Sequence, residues 1–216
     1  MKNLKTAIIF LLLVISTATS YHIHAQDSVD LTEAQKELLR QRVVQKVEEF
    51  TASLSRMVDP ELSNNVRTEN QTKLLSLFME KGQPYETEED GITKHNTGVK
   101  MMTSSVNRTS TTSSLLRVYV KRLYDPATGR SKMRYSKISI QTANAIRVDN
   151  IYKEGDRYVC MAYFYQDFVG YIDNRIAYKD RTCKKIKCYI TPMNIPGGTA
   201  FDVKLGDITV VSTERI

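Results

Sequence analysis

Histidine is nearly missing from this chain. There are three in 216 residues, His22, His24 and His95, and there is no tryptophan. A Ser-His-Asp arrangement needs its histidine beside a nucleophile and an orienting carboxylate, and a zinc centre takes several His or Cys ligands. Two of the three histidines fall in the first 25 residues. His95 alone is left for the folded part, so neither chemistry assembles and no metal or other cofactor is expected. Cysteine is scarce too, with only Cys160, Cys183 and Cys188. The spacing of Cys183 and Cys188 is neither a zinc-knuckle nor a dithiol redox pattern, and on a strand their odd separation points them to opposite faces. Cys160 and Cys188 fall on the apolar faces of neighbouring predicted strands. Two readings follow: buried free thiols packed as small hydrophobes, or a disulfide between those two in an oxidising compartment.

The chain also lacks an apolar run of the roughly 20 residues a membrane-spanning helix needs. It has a shorter one with informative flanks. Lys2 and Lys5 precede the unbroken stretch Ala7–Ile15, then Ser16-Thr17-Ala18-Thr19-Ser20, and Ile23-His24-Ala25 places Ile and Ala at −3 and −1 of a cut before Gln26. A basic head, a short apolar middle and a small-residue exit read as a secretory signal peptide over residues 1–25. The alternative is an uncleaved anchor that makes the chain a scaffold component of a secretion or conjugation assembly. Cleavage removes Lys2 and Lys5 and takes the formal charge from +7 to +5. Residues 26–216 then form a single domain in the periplasm or outside the cell.

Within that domain the apolar pattern changes character near residue 83. A capping box, Thr32-Glu33-Ala34-Gln35, precedes Leu39, Val43, Val47, Phe50, Leu54 and Met57, the stripe of one long amphipathic helix. Asp59-Pro60 stops it, and a second capping box at Thr68–Gln71 predicts another helix ending at Gly82. These make a helical part over 32–82. Residues 83–114 are polar and rich in Ser and Thr, and predict a long surface excursion with a short strand at 99–102. From 115 to 213 the period is two. Leu116, Val118 and Val120 alternate with polar residues, and Asp125–Gly129 is a hairpin turn by its residues. Strands follow at 133–140, 145–152, 157–168, 181–191 and 201–212. Short turns between successive strands predict an antiparallel sheet, and helices ahead of it make the class α+β.

Two or three N-terminal helices packed on a strongly curved antiparallel sheet resemble the cystatin-like, or NTF2-like, cone fold. The closing strand Val203–Val210, with a bulge expected at Gly206, is similar to closing strands in that superfamily. The leader resembles those of exported Bacteroidetes proteins. Enzymes of the superfamily carry an Asp/His or Tyr/Asp pair deep in the cone, and here no histidine follows His95. The resemblance therefore implies a binding or accessory module of a bacterial envelope that works without catalysis. A pocket enzyme (isomerase, dehydratase or hydrolase) built on carboxylate and tyrosine is its rival.

Ten of the twelve tyrosines lie between Tyr119 and Tyr189. Tyr163, Tyr165, Tyr171 and Tyr178 are candidates for an aromatic binding surface, with phenol groups suited to sugars or peptides. Cross-strand packing explains the same enrichment. Gln166 stands between Phe164 and Phe168 on one predicted strand face, where an unbonded amide costs roughly 1–3 kcal/mol. Its partner is either the protein's own backbone or water, or a ligand in the mouth of the cone. Asp173-Asn174 fits turn chemistry, so Asp167, Asp173 and Asp180 do not read as a catalytic carboxylate pair. Arg181, Lys184, Lys185 and Lys187 read as a solvated or edge-protecting face. No nucleic-acid motif is present, and the expected partners are an envelope protein or peptide, a small ligand, or an anionic glycolipid or polysaccharide. Protein taken from its native envelope should begin at Gln26 by intact-mass measurement; an unprocessed Met1 in the membrane fraction is the outcome that the anchor requires.

Overall fold

The stripe Leu39, Val43, Val47, Phe50, Leu54 and Met57 forms the inner face of helix α1 (Glu33–Val58), and all six side chains are buried. The computed structural model describes residues 30–89 and 91–216. The expected leader and Asp90 lie outside the described residues. Every helix and strand below belongs to the unit Glu33–Ile216.

Helix α2 (Asn64–Ser76) begins one turn earlier than the Thr68 capping box predicts. Ser63 is its cap, accepting from the Val66 amide at 3.4 Å, and Thr68 lies inside the helix beside the Tyr124 hydroxyl. Ser63 follows the Asp59-Pro60 break directly, so the first hydroxyl available after the turn takes the capping role. Buried Arg67 ties this helix to its neighbours. Its Nε donates to the Met57 carbonyl in the last turn of α1 at 2.9 Å, where unpaired carbonyls and the helix dipole favour a cation. The guanidinium also lies 4.1 Å from the centre of the Tyr124 ring.

The excursion after residue 83 is more regular than its composition predicts. It contains a two-stranded hairpin, β1 (Tyr85–Glu89) with β2 (Ile92–Asn96), and a second hairpin, β3 (Lys100–Thr103) with β4 (Thr112–Leu115). His95 is an exposed strand residue facing Glu86, with Nδ1 2.7 Å from that carboxylate.

The segment expected as the first long strand is a helix, α3 (Leu116–Leu123). Leu116, Tyr119, Val120 and Leu123 are buried, the i, i+3, i+4, i+7 spacing of a helix face, while Val118 is 49% exposed where strand alternation would bury it. Asp125–Gly129 is a tight turn closed by an Asp125–Arg130 bridge, but it leads out of that helix rather than joining two sheet strands.

The large sheet comprises β3 and β4 with β5 (Lys137–Val148), β6 (Tyr152–Glu154), β7 (Arg157–Ile172), β8 (Arg175–Ile195) and β9 (Gly198–Glu214). Its order is β4-β3-β9-β8-β7-β5, with β6 also on β7. All pairs are antiparallel except β3 with β9, which meet in parallel at Met101 and Ile208. The α+β class is therefore observed. β5 joins the end of the strand predicted at 133–140 to the start of that predicted at 145–152, while residues 133–136 precede it and Tyr152 begins β6, and its pairing with β7 is irregular between Ala143 and Arg147. The turn at Asp173-Asn174 has both residues at positive φ, the requirement of a two-residue hairpin that continues the strand twist. The bulge expected in the closing strand falls at Gly206, where three steps on β9 oppose two on β8.

Helix α1 lies across the sheet, packed on β5, β7 and β9 and against α2. Phe50 marks the centre of that layer, edge-on to Phe78 at 5.3 Å and to Phe164 of β7 at 6.1 Å. Cys160 and Cys188 face each other directly in the β7–β8 register on this covered side. Both are buried free thiols. Phe50→Ala should cost about 3–5 kcal/mol in chemical denaturation. Val118→Ser should change stability by no more than about 0.5 kcal/mol, an outcome that a buried strand position would not allow.

Candidate functional site

The register of β7 against β8 builds the site. On the face covered by α1, the pairs Tyr158–Ile190, Cys160–Cys188 and Ala162–Ile186 are apolar. The next pairs on the same face are Phe164–Lys184, Gln166–Thr182, Phe168–Asp180 and Gly170–Tyr178. One side of one ribbon thus changes from core to polar floor at Phe164, the residue beneath Phe50. Over the polar half lies a cavity of about 580 Å³, walled by α3, the β3–β4 connection and residues 132–135. That volume falls within the range of about 300–1,000 Å³ typical of small-molecule sites.

Gln166 is 3% exposed. Its amide lies beside the Tyr119 phenol of α3, and its Oε1 is the one buried side-chain oxygen or nitrogen among the described residues without a partner. Burial, followed by the charge of Asp180, pushes the Tyr119 phenol above its ordinary range, and the neighbouring Gln166 amide opposes that rise.

Asp180 and Lys184 stand on the same floor, 3% and 4% exposed. Burial raises the Asp180 carboxyl above its usual range, while the Tyr178 hydroxyl, which donates to it, and the charge of Lys184 pull the other way. Tyr178 also lies 2.8 Å from Ser105 Oγ and accepts from the Val106 amide at 3.2 Å, so the β3–β4 connection is fastened to the floor through one phenol. Burial pushes the Lys184 amine down to about 8, with Asp180 opposing. Its single hydrogen bond among the described residues is a long one, 3.5 Å to the Met102 carbonyl. An ammonium has three protons to donate.

Three rings form a wall: Tyr135 lies 5.8 Å from Phe168 and 6.3 Å from Tyr178, and Phe168 lies 6.0 Å from Tyr178. Gly170 makes room for them, since a Cβ there would sit 2.6 Å from the Tyr135 ring. Arg108, Arg122 and Arg134 line the mouth, and among the described residues none of them forms an ion pair.

The candidates of the sequence divide accordingly. Gln166 and Tyr178 line the cavity. Tyr163 and Tyr165 point to the other face of β7, where Arg147 lies 4.3 Å over the Tyr163 ring and Tyr165 is 37% exposed. Tyr171 follows an irregularity near the end of β7, where its carbonyl accepts from Ser136, and it does not line the cavity. Cys160 and Cys188 lie in the apolar half. The basic run is not a solvated face throughout: Lys184 is buried, and Lys187 bridges Glu89 and Glu154 at 3.1 and 2.6 Å. The three aspartates part company. Asp167 makes a two-pronged pair with Arg181, Asp173 occupies the turn, and Asp180 enters the cavity. Asp180 and Lys184 carry other roles in the sequence reading, a carboxylate set aside as non-catalytic and a solvated basic face, and Tyr119 is not singled out there. The even-numbered positions of β8 would have revealed the first two had the register with Gln166 been known.

No protein-family model matches this chain, no curated protein matches it, and no solved structure matches it.

The buried lysine has a signature in stability. Between its folded value near 8 and its unfolded value near 10.4, the unfolded chain holds the extra proton, so the wild type gains stability as pH rises through that window. Lys184→Met should be the more stable protein at pH 7, by on the order of 1–3 kcal/mol, with the difference shrinking between pH 8 and 10. Denaturant titrations of the two proteins across that range read it.

Proposed function

We propose that this chain is an exported binding module that holds a small polar ligand in the cavity over Gln166, Asp180 and Lys184, on an NTF2-like cone. The observation that carries the reading is Gln166, a buried residue of the cavity lining whose Oε1 has no partner among the described residues. Nearly all buried polar atoms in native proteins are bonded, and an unbonded acceptor on a residue of a cavity lining is a position that a ligand's N–H or O–H can complete. The cone is supported by helices ahead of the sheet, a bulged closing strand and a sheet face only half covered by α1. Export rests on Lys2, Lys5, the run Ala7–Ile15 and the small residues before Gln26. No helix among the described residues is long and apolar enough to cross a membrane. Recognition of a peptide or partner protein through Tyr163 and Tyr165 is the weaker form of the proposal, because those rings lie on the face away from the cavity.

A second reading, a pocket enzyme, is favoured by one observation: a buried carboxyl with a raised proton affinity bonded to a tyrosine within a cavity. In it Asp180 would exchange a proton with the ligand while Tyr178 and Lys184 hold the developing charge. Turnover of the captured ligand decides between holding and converting.

Native mass spectrometry of the protein from its native envelope tests the cavity. A small-molecule adduct should be present on the wild type and absent from Gln166→Leu, whose stability should stay within about 1 kcal/mol because the substitution also removes an unpartnered buried oxygen. A stoichiometric protein companion retained equally by both chains would overturn the cavity reading.

A further inference from the structure

We infer that the ligand of this cavity is an acidic sugar: a pyranose-sized ring bearing hydroxyls and one carboxylate. The inference rests on the cavity being the binding site and names what it takes.

Three surfaces of the cavity point to one chemistry. At the floor, the acceptor Gln166 Oε1 has no donor among the described residues, while Lys184 has donor capacity beyond its one long bond among them, to the Met102 carbonyl. A site short of a donor and of an acceptor is completed by hydroxyls, since each O–H gives one hydrogen bond and accepts others. A purely anionic ligand would satisfy Lys184 and leave Gln166 unpaired. A purely apolar one would leave both, at the desolvation cost each buried polar group carries. The wall is the aromatic set Tyr135, Phe168 and Tyr178. Such rings cover the C–H face of a sugar and leave its rim of hydroxyls free, and Tyr adds a polar end to the same surface.

The mouth supplies the charge. Arg108, Arg122 and Arg134 are exposed residues of the lining with no carboxylate partner among the described residues, and the acidic group of the lining, Asp180, lies on the floor bonded to Tyr178 and close enough to feel Lys184. Lys132, the remaining cation of the lining, is held by Asp125 at 2.8 Å. Guanidinium groups recognise planar carboxylates through paired N–H bonds. A carboxylate at the mouth and hydroxyls at the floor orient the ring along the aromatic wall.

Calorimetric titration of the purified full-length protein with glucuronate, galacturonate, glucose and cyclohexanecarboxylate tests this. At least one uronate should bind about tenfold or more tighter than both glucose and cyclohexanecarboxylate. Gln166→Leu should weaken that uronate by a similar factor. The double variant Arg122→Gln, Arg134→Gln should bind the uronate no better than glucose. Equal binding of cyclohexanecarboxylate, a preference unchanged in the double variant, or no response to either uronate overturns the inference. Glucose bound as tightly as the uronates but lost in Gln166→Leu overturns the acidic class and leaves the cavity reading standing. The same holds for a native adduct of other chemistry that depends on Gln166. A protein companion indifferent to Gln166→Leu overturns both.

Discussion

The contact of Phe50 with Phe164 governs the rest of the molecule, because it is where the cover of the sheet gives way to the cavity. Below it α1 buries the Cys160–Cys188 and Ala162–Ile186 rows with an apolar stripe, and hydrophobic burial of that kind supplies most of the drive for the helix to form at all. Above it the same ribbon continues, but the layer over it is α3 and the β3–β4 connection, the latter joined by polar bonds to Tyr178. A helix of fixed length on a longer ribbon leaves an uncovered end. In this chain that end is a chamber with a polar floor.

Polar groups in such a chamber have consequences that they lack at a surface. Asp180 and Lys184 are both withdrawn from water, and each is shifted toward its neutral form by that withdrawal while each favours the charged form of the other. The balance between lost hydration and mutual attraction rarely yields stability, and buried ions of this kind are held at a cost to the fold. Gln166 adds to it with an oxygen that nothing among the described residues satisfies. Three costs gathered on four facing rows of one strand pair are what a site, rather than a core, looks like in energetic terms.

The opposite face solves a different problem. The hairpin of β1 and β2 covers part of it, with Tyr85 edge-on to Tyr189 at 6.3 Å and Lys187 clasped between Glu89 of the hairpin and Glu154 of β6. Tyr163 is paired with Arg147 and Tyr165 is left at the surface. The abundance of tyrosine in these strands therefore has two origins. Tyr178 and Tyr135 serve the cavity, and those on the outer face pack against cations and across strands, as strand tyrosines generally do.

The periodicity of residues 39–57 determined α1 and its buried face by itself, because six apolar side chains at helical spacing admit one amphipathic solution. The hairpin at Asp173-Asn174 was equally local, set by residues that tolerate positive φ. Gln166 was legible as an anomaly from its two phenylalanine neighbours. What remained hidden was most of what depends on pairing between distant segments, the neighbouring strands of Cys160 and Cys188 excepted. Leu116–Leu123 carries an alternation that fits strand and helix alike over so short a run, and only packing decides which of Val118 and Val120 is buried. Lys184 sits in a run of charges that reads as a surface, yet the register with β7 turns it inward beside Asp180. A shift of one residue would have exchanged the two faces of that strand, and register is set by the whole sheet. The tertiary structure alone therefore decided which of the tyrosines, aspartates and lysines would meet.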